Sequence, residues 1–435
     1  MSTARTRPRV AVLGGGWSGL AAAVTLAQAG VAVTVFEAAC ILGGRARRVE
    51  VNGVALDNGL HILIGAYREA LRLIALVSDS PDQALLRLPL DLHILDTFRL
   101  HAPPLPAPLH LVMALLWSEG LSLAQRLRAA RFMAQLRTGR FLLERDITVA
   151  ALLTQYRQGA TVRRHLWESV CTSALNTPAS IASAQVFLNV LRDSLNGPRD
   201  NCDILVPRID LSALFPEAAA RYVRARGGSV LEATPVSSVG LEDDGFHVHS
   251  ADGEDCFSHV VCAISPWRVP AVLATIFGAA KVLEQIDRLT YEPIYSVYLQ
   301  YPRSVALPQP MFGLDGGLVQ WVFDREVFCG QRGLIGTVMS ASGEHEALTQ
   351  DSLAEKVAHE LRAKFPDLPA PSWTQVIAEK RATFACVVGG ERPTQRTPVP
   401  GLYLAGDYTA SDYPATLESA VISGVSCANM ILQSG

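Results

Sequence analysis

Three glycines, at 14, 16 and 19, and one carboxylate, at 37, have the spacing in this chain that most directly implies chemistry. Gly14 permits a tight turn, Gly16 lets the backbone approach a pyrophosphate, and Gly19 lets a helix pack close on a strand. Ser18 lies in the same turn, where a helix N-terminus offers N–H groups and a positive dipole end to phosphates. Glu37 follows at about 20 residues, where an acid holds a ribose hydroxyl and favours an unphosphorylated 2′-OH. Gly43-Gly44-Arg45 adds close backbone approach, a fixed cation and forked donors; the same residues also suit an ordinary arginine-bearing turn. Near the far end, Gly406-Asp407 closes an apolar run and could hold sugar or pyrophosphate oxygens. Thr416 is a candidate N-cap for the helix beyond, whose N-terminus would stabilise negative charge on a ligand.

These residues need a βαβ unit to position them. Val10 to Leu13 is a β-type apolar run, Leu20 to Gln28 a small-residue helix with Gly30 past its end, and Val31 to Phe36 a second strand. Val10 to Phe36 carries no charge and follows Arg5, Arg7 and Arg9, which superficially resembles a signal peptide or a membrane span. The clustered glycines, the β-branched residues at the two ends and the lack of a small-residue cleavage site favour a soluble nucleotide fold.

The 435 residues suit two or three cores, and the net charge of −3 gives no attraction to nucleic acid. A 49% hydrophobic fraction with 18% charged residues suits a large interior or a greasy binding surface. The eight cysteines are scattered, with no CxxC and no His/Cys cluster at metal spacing, so no metal and a reducing compartment are expected.

Along the chain, Val49 to Gly53 reads as a hairpin turn, and Asp57 to Tyr67 as glycine-bearing backbone beside a flat ligand. Helix is expected over 68–77, strands over 88–101, and a linker over Pro103 to Pro108. An apolar helix over 109–117 and a helical stretch over 121–144 follow. The latter carries Arg126, Arg128, Arg131, Arg137 and Arg140 among leucines and phenylalanines, either a membrane-surface element or a solvated cationic face. Residues 149–197 read as helical, broken at 174–178. Asn189 and Asp193 share a helical face there and could line a cavity or be satisfied core residues. Helix 213–226 and short strands return the pattern to α/β, and 286–340 is β-rich. Glu418 is expected to serve the first turn of its own helix.

Together these pieces resemble the flavin-containing amine oxidase and carotenoid desaturase superfamily. Leu56 to Tyr67, Ala174 to Pro178, Ala184 to Asp193 and Asp412 to Val421 resemble more closely the squalene-associated FAD-dependent desaturases of bacterial hopanoid pathways, the hydroxysqualene dehydroxylases. The likeness runs along nearly the whole chain. It implies an α/β fold: a Rossmann-type FAD-binding domain (1–75, 206–270, 396–435), a discontinuous α+β substrate domain (76–205, 271–395) and a helical membrane-facing part. It implies FAD, non-covalent because no C-terminal cysteine sits in a tethering context, held by Gly14, Gly16, Ser18, Gly19, Glu37, Ala38, Gly44, Arg45, Gly59, His61, Val236, Gly406, Asp407, Thr416 and Leu417.

The activity implied is reductive removal of a hydroxyl from hydroxysqualene to give squalene, with a hydride passing to an allylic carbon as water leaves. His61, then Tyr67 and Asp193, are the candidate proton donors; His61 could equally be a structural hydrogen-bonder. Asn176, Asn189 and Tyr298 are candidate substrate contacts. The alternatives are a polyene desaturase of the phytoene type, an amine oxidase, for which the flanking aromatic pair is not seen although Tyr408 and Tyr413 lie close together, and a non-catalytic flavoprotein or lipid carrier. The expected partners are a triterpene, a membrane surface and neighbouring squalene and hopanoid enzymes. The expected location is the inner face of the bacterial cytoplasmic membrane.

Overall fold

The computed structural model describes residues 8–434, so Arg5 and Arg7 lie outside the described residues. Strand β1 (Arg9–Leu13), helix α1 (Trp17–Gln28) and strand β2 (Ala32–Phe36) form the βαβ unit. Val10, Ala11, Val12 and Leu13 are completely buried, which explains the unbroken apolar run: both faces of a parallel strand are covered. The five-stranded parallel sheet runs Ser229–Leu231, β2, β1, His259–Cys262, Leu402–Leu404. Its strands come from three distant stretches of chain, all within 1–75, 206–270 and 396–435. An antiparallel sheet of Val236–Glu242, Gly245–Ser250 and Gly253–Phe257 leads along the chain from strand Ser229–Leu231 to strand His259–Cys262.

The C-terminal helix Leu417–Ser434 lies against α1 at Gly424, and α1 packs back on its own glycine turn at Gly19. A Cβ on Gly424 would stand 2.0 Å from the Ser18 carbonyl oxygen, and one on Gly19 would stand 2.0 Å from that of Gly14. Gly19 therefore serves packing, as its spacing predicts.

A seven-stranded sheet forms the second layer. Its order is Trp373–Phe384, Tyr291–Gln300, Leu334–Ser340, Trp321–Asp324, Met311–Gly313, Asp91–Ile94, Phe98–His101. All pairs are antiparallel except Gly313 with Ile94, where the early and late halves of the chain meet. Alternation sorts its residues: Tyr295, Val297 and Leu299 pack with Leu353, Val357 and Leu361 of helix Gln350–Lys364, while Ile294, Phe323 and Val338 face a cavity on the other side. Helices Leu109–Leu116, Leu123–Thr138, Ser169–Leu175 and Ala184–Leu195 close that cavity.

Several boundaries differ from expectation. The stretch expected over 121–144 ends at Thr138, because Gly139 is followed by Arg140 and Phe141 at positive φ. Helix 213–226 is two pieces, Leu211–Leu214 and Pro216–Ala225, since Pro216 lacks an N–H and starts a new helix. The region 149–197 breaks further after Gln155 and contains a π-helical turn, Arg163–Glu168. The boundary at 205 falls inside strand Ile204–Pro207, which pairs with both Leu63–Ile64 and Leu85–Leu88.

Gly424→Ala, which forces the two helices apart, should lower stability by about 1–3 kcal/mol. Gly139→Ala, with φ −77° and no atom closer than 3.5 Å to the new Cβ, should stay within about 0.5 kcal/mol. Thermal and denaturant unfolding of the two variants checks this.

Candidate active site

One cavity of about 1630 Å³ opens at the C-terminal edge of the parallel sheet and continues under the seven-stranded sheet. A single ligand pocket holds about 300–1,000 Å³, so this cavity has room for a dinucleotide and a second large molecule.

At its polar end the two glycine motifs are woven together. Gly14, at φ +105°, donates its N–H to Phe36 O at 2.7 Å. Gly43 N–H donates to Gly15 O at 2.9 Å, and Gly16 and Gly43 form a parallel bridge. A Cβ on Gly44 would lie 3.3 Å from Gly16 Cα, so the cradle is made of bare backbone. Gly14, Gly16, Ser18, Ala38 and Gly44 line it; Gly19 does not. Glu37 lines it too, and its oxygens accept from Gly15 N–H at 2.6 Å and Ala39 N–H at 2.8 Å. Each oxygen keeps lone-pair capacity for a hydroxyl. Val236 stands at the same end.

Arg45 donates to the Asp407 carboxylate and to the Ala382 carbonyl, joining the two ends of the chain at the cavity wall. Burial opposes the charge on Arg45, but Asp407 more than offsets it and its pKa is raised. Gly406 N–H donates to Ser423 Oγ at 2.8 Å. Thr416 Oγ1 accepts from Ser419 N–H at 3.1 Å, so it is the N-cap of helix Leu417–Ser434. Asn58, which sequence reasoning passed over, donates to Arg45 O at 3.0 Å and lines the cavity.

The loop carrying Gly59 and His61 hangs from a buried ion pair that sequence reasoning also missed. Asp57 lies 3.4 Å from Arg325 and accepts Leu211 N–H at 2.9 Å; both side chains of the pair are about 95% covered. Its signal was an acid closing the apolar strand Val54–Asp57.

The three candidate proton donors all line the cavity, and their chemistry separates them. His61 Nδ1 lies 3.0 Å from the Gly59 carbonyl. A carbonyl only accepts, so Nδ1 carries the proton and Nε2 is an acceptor. Burial lowers the His61 pKa, and the ring stays neutral. Burial would raise the Asp193 carboxyl, but hydrogen bonds from Arg192 at 2.7 Å and from the Tyr413 hydroxyl at 2.7 Å hold it below the usual carboxylate range. Asp193 is thus a fixed anion with no proton to give. Tyr67 is pushed up by burial and by Glu418, against a hydrogen bond from Thr416, and keeps its phenolic proton.

The candidate substrate contacts fare differently. Tyr298 is fully buried off the cavity, its hydroxyl donating to Asp57 O at 2.9 Å. Asn189 also lies off the cavity, donating to Asp412 O at 2.9 Å. Asn176 borders the cavity, but its amide is occupied: it donates to Thr383 Oγ1 at 2.9 Å and accepts Ala341 N–H at 2.7 Å. The surfaces that do face the chamber are apolar: Leu92, Leu115, Met133, Phe141, Trp167 and Phe323. Glu418 does not serve its own helix; it accepts the Glu69 and Ala70 N–H groups at 2.9 and 2.8 Å, capping helix Arg68–Val77.

His61 supplies a pH test. Its depressed folded pKa means the unfolded chain binds more protons below about pH 6.5, so stability falls as pH falls. His61→Gln should reduce that loss, by no more than about 1.4 kcal/mol per pH unit, in denaturation curves of flavin-free protein between pH 7.5 and 5.5.

Over 444 residues the chain is 27% identical to hydroxysqualene dehydroxylase from Zymomonas mobilis, covering 97% of this chain and 98% of that protein. It is 28% identical to the enzyme of that name from Rhodopseudomonas palustris, covering 98% and 99%. Identity to 15-cis-phytoene desaturase from Solanum lycopersicum is 24%, covering 99% of this chain and 80% of that one. An engineered putrescine oxidase shares the fold at a TM-score of 0.74 and 16% identity, with 99% of each chain covered. Cyclohexylamine oxidase from Brevibacterium oxydans does so at 0.70 and 18%, again with 99% of each covered. The family of flavin containing amine oxidoreductases matches residues 17–432, nearly the whole chain, and the chain belongs to that family.

Proposed function

We propose that this protein is an FAD-dependent oxidoreductase that removes the hydroxyl of hydroxysqualene to give squalene. The observation that carries the reading is one continuous cavity, bare-backbone and charged at one end and apolar at the other. Its relatives named hydroxysqualene dehydroxylase match from end to end.

FAD fits the polar end on this chain's own residues. Gly16 and Gly44 leave backbone exposed to a pyrophosphate, Glu37 and Asp407 offer acceptors to hydroxyls, and helix Leu417–Ser434 presents its N-terminus. Cys427, the cysteine of the C-terminal stretch, lies off the cavity with Sγ 3.1 Å from Leu404 O, which supports a non-covalent flavin. When bound and reduced, FAD supplies a hydride.

The reaction adds that hydride and one proton to an allylic C–OH: the C–O bond breaks, a C–H bond forms and water leaves. The apolar chamber holds the chain and excludes water from the reacting carbon. Tyr67 gives the proton to the departing oxygen: Asp193 is ionised, and the one ring proton of His61, on Nδ1, is held by the Gly59 carbonyl. Asp193 orients Tyr413 at the chamber wall, and His61 Nε2 can accept a hydrogen bond from the substrate hydroxyl before cleavage.

Helices Leu109–Leu116 and Leu123–Thr138 supply the membrane contact in this reading. Trp117 is 63% exposed, Leu123 64% and Leu127 54%, beside the exposed Arg128 and Arg131. The same helices give Leu111, Leu115 and Met133 to the chamber. Arg126 belongs to the fold instead, bonded to Leu116 O at 2.5 Å and Leu121 O at 3.1 Å. Among the described residues no helix is long and apolar enough to cross a membrane, so contact would be at the surface.

The decisive experiment is anaerobic incubation of the FAD-loaded, chemically reduced protein with hydroxysqualene. Squalene is expected. An unchanged substrate, with phytoene desaturated by the oxidised protein instead, would replace this reading with that of a polyene desaturase. Tyr67→Phe should lower kcat about 10²–10⁴-fold while leaving bound flavin unchanged. Sedimentation with anionic liposomes should be lost in the double variant Leu123→Glu, Leu127→Glu; retention at wild-type level would place the membrane contact elsewhere.

A further inference from the structure

The antiparallel sheet Val236–Glu242, Gly245–Ser250, Gly253–Phe257 carries a side-chain cluster that flavin chemistry does not use: Asp244, His247 and Cys256 all lie off the cavity. His247 and Cys256 are direct cross-strand partners, which puts both side chains on one face with Cβ atoms about 4.5–5.5 Å apart. Asp244 sits in the turn that joins the first two strands, and Glu242 ends the first. His247 Nε2 is 2.8 Å from Asp244 Oδ1 and 3.8 Å from Glu242 Oε2. Cys256 Sγ is 3.9 Å from Asp244 Oδ2. One ligand atom from each of Asp244, His247 and Cys256 lies within 4.8 Å of the other two.

Two further features match a metal centre. The second ring nitrogen, Nδ1, is fixed by Glu254 Oε1 at 2.6 Å, the outer contact that orients a metal-binding imidazole and raises its basicity. The His247 side chain is only 13% exposed, so the ring is already held in place. Bonds of about 2.0–2.3 Å around a tetrahedral zinc leave its ligand atoms about 3.3–3.8 Å apart. The observed separations reach that range with small side-chain movements. Nitrogen, sulfur and carboxylate together select zinc over magnesium or calcium, which take oxygen alone.

We propose that Asp244, His247 and Cys256, with Glu242 as fourth ligand, form a zinc-type metal site that clasps this sheet. The linear order Asp244, His247, Cys256 has no recognisable metal spacing, which is why sequence reading expected none; the strand register makes the site. Binding releases to solvent the proton of the Cys256 thiol and the proton on His247 Nε2 that faces Asp244. Because the first strand starts at Val236, on the cavity's nucleotide end, the metal stiffens the sheet behind that end. The proposal is independent of the reaction assigned above, since metal binding is read whether or not hydroxysqualene is consumed.

The test titrates metal-free, FAD-loaded full-length protein with Co(II), then displaces it with Zn(II). One cobalt per chain is expected, with a thiolate-to-cobalt charge-transfer band that zinc abolishes. Cys256→Ser should lose the band, and Cys40→Ser, which removes an exposed cysteine elsewhere, should keep it. Glu254→Gln should weaken binding about 10–100-fold, and Asp244→Asn, at an exposed turn position that folding tolerates, should weaken it at least tenfold. Zn(II) should raise the Tm of the wild type and not of Cys256→Ser. Absence of the band, or a band and affinity unchanged in Cys256→Ser or Asp244→Asn, overturns the proposal.

Discussion

The contact between Arg45 and Asp407 spans 362 positions of sequence, and the site depends on it. One guanidinium ties the loop after β2 to the last strand of the parallel sheet. Its other arm holds Ala382, near the end of the longest strand of the seven-stranded sheet. Breaking it would release the glycine loop from the C-terminal strand and open the seam between the two layers. A charge in this position is costly to desolvate, and only a partner of opposite sign makes it tolerable. Asp57 and Arg325 repeat the device from the other side, anchoring the Gly59–His61 loop to the turn after Trp321–Asp324. Such pairs contribute little net stability compared with apolar packing, but they allow few alternative registers. A discontinuous domain, whose pieces must find one another across hundreds of residues, needs that restriction.

What could be read from the chain alone follows the range over which each signal acts. The βαβ unit was legible because its turn, helix and strands lie within 30 residues and obey local rules; so were the hairpin at Asn52 and Gly53 and the cap at Thr416. The nucleotide cradle was legible for the same reason, since backbone geometry at Gly14, Gly16 and Gly44 does not depend on distant partners. Polar side chains in apolar surroundings were not. Asn176, Asn189 and Tyr298 looked available because a sequence shows a polar atom and conceals its partner. In the fold each is bound to backbone or side chain far along the chain. Glu418 misled in the opposite direction: it caps a helix, but that helix begins at Arg68.

The helix Leu123–Thr138 shows a different limit. Its arginines suggested a polar face set against an apolar one, yet the outward side carries Leu123 and Leu127 beside Arg128 and Arg131, while Ala129, Phe132 and Leu136 point inward. Arg126 turns back to tie the preceding helix. Periodicity separates buried from exposed residues; it does not say whether an exposed leucine meets water or lipid.

The chamber also disciplines the chemistry within it. Burial raises Tyr67 and Glu418 and lowers His61, in each case working against the charged form. The charges that persist there, Asp193 with Arg192 and Asp407 with Arg45, are paired. A hydroxide ion leaving into such surroundings would be an unpaired charge of the kind the walls reject. The C–O bond can break cheaply only if a proton reaches the oxygen as it departs, which makes water the leaving group. A neutral phenol on the wall can hand over its proton as the hydride arrives at carbon, so that no charge is left on the substrate and the tyrosinate regains a proton before the next turnover. In the proposed reaction, apolar walls of this kind would favour close coupling of hydride and proton transfer.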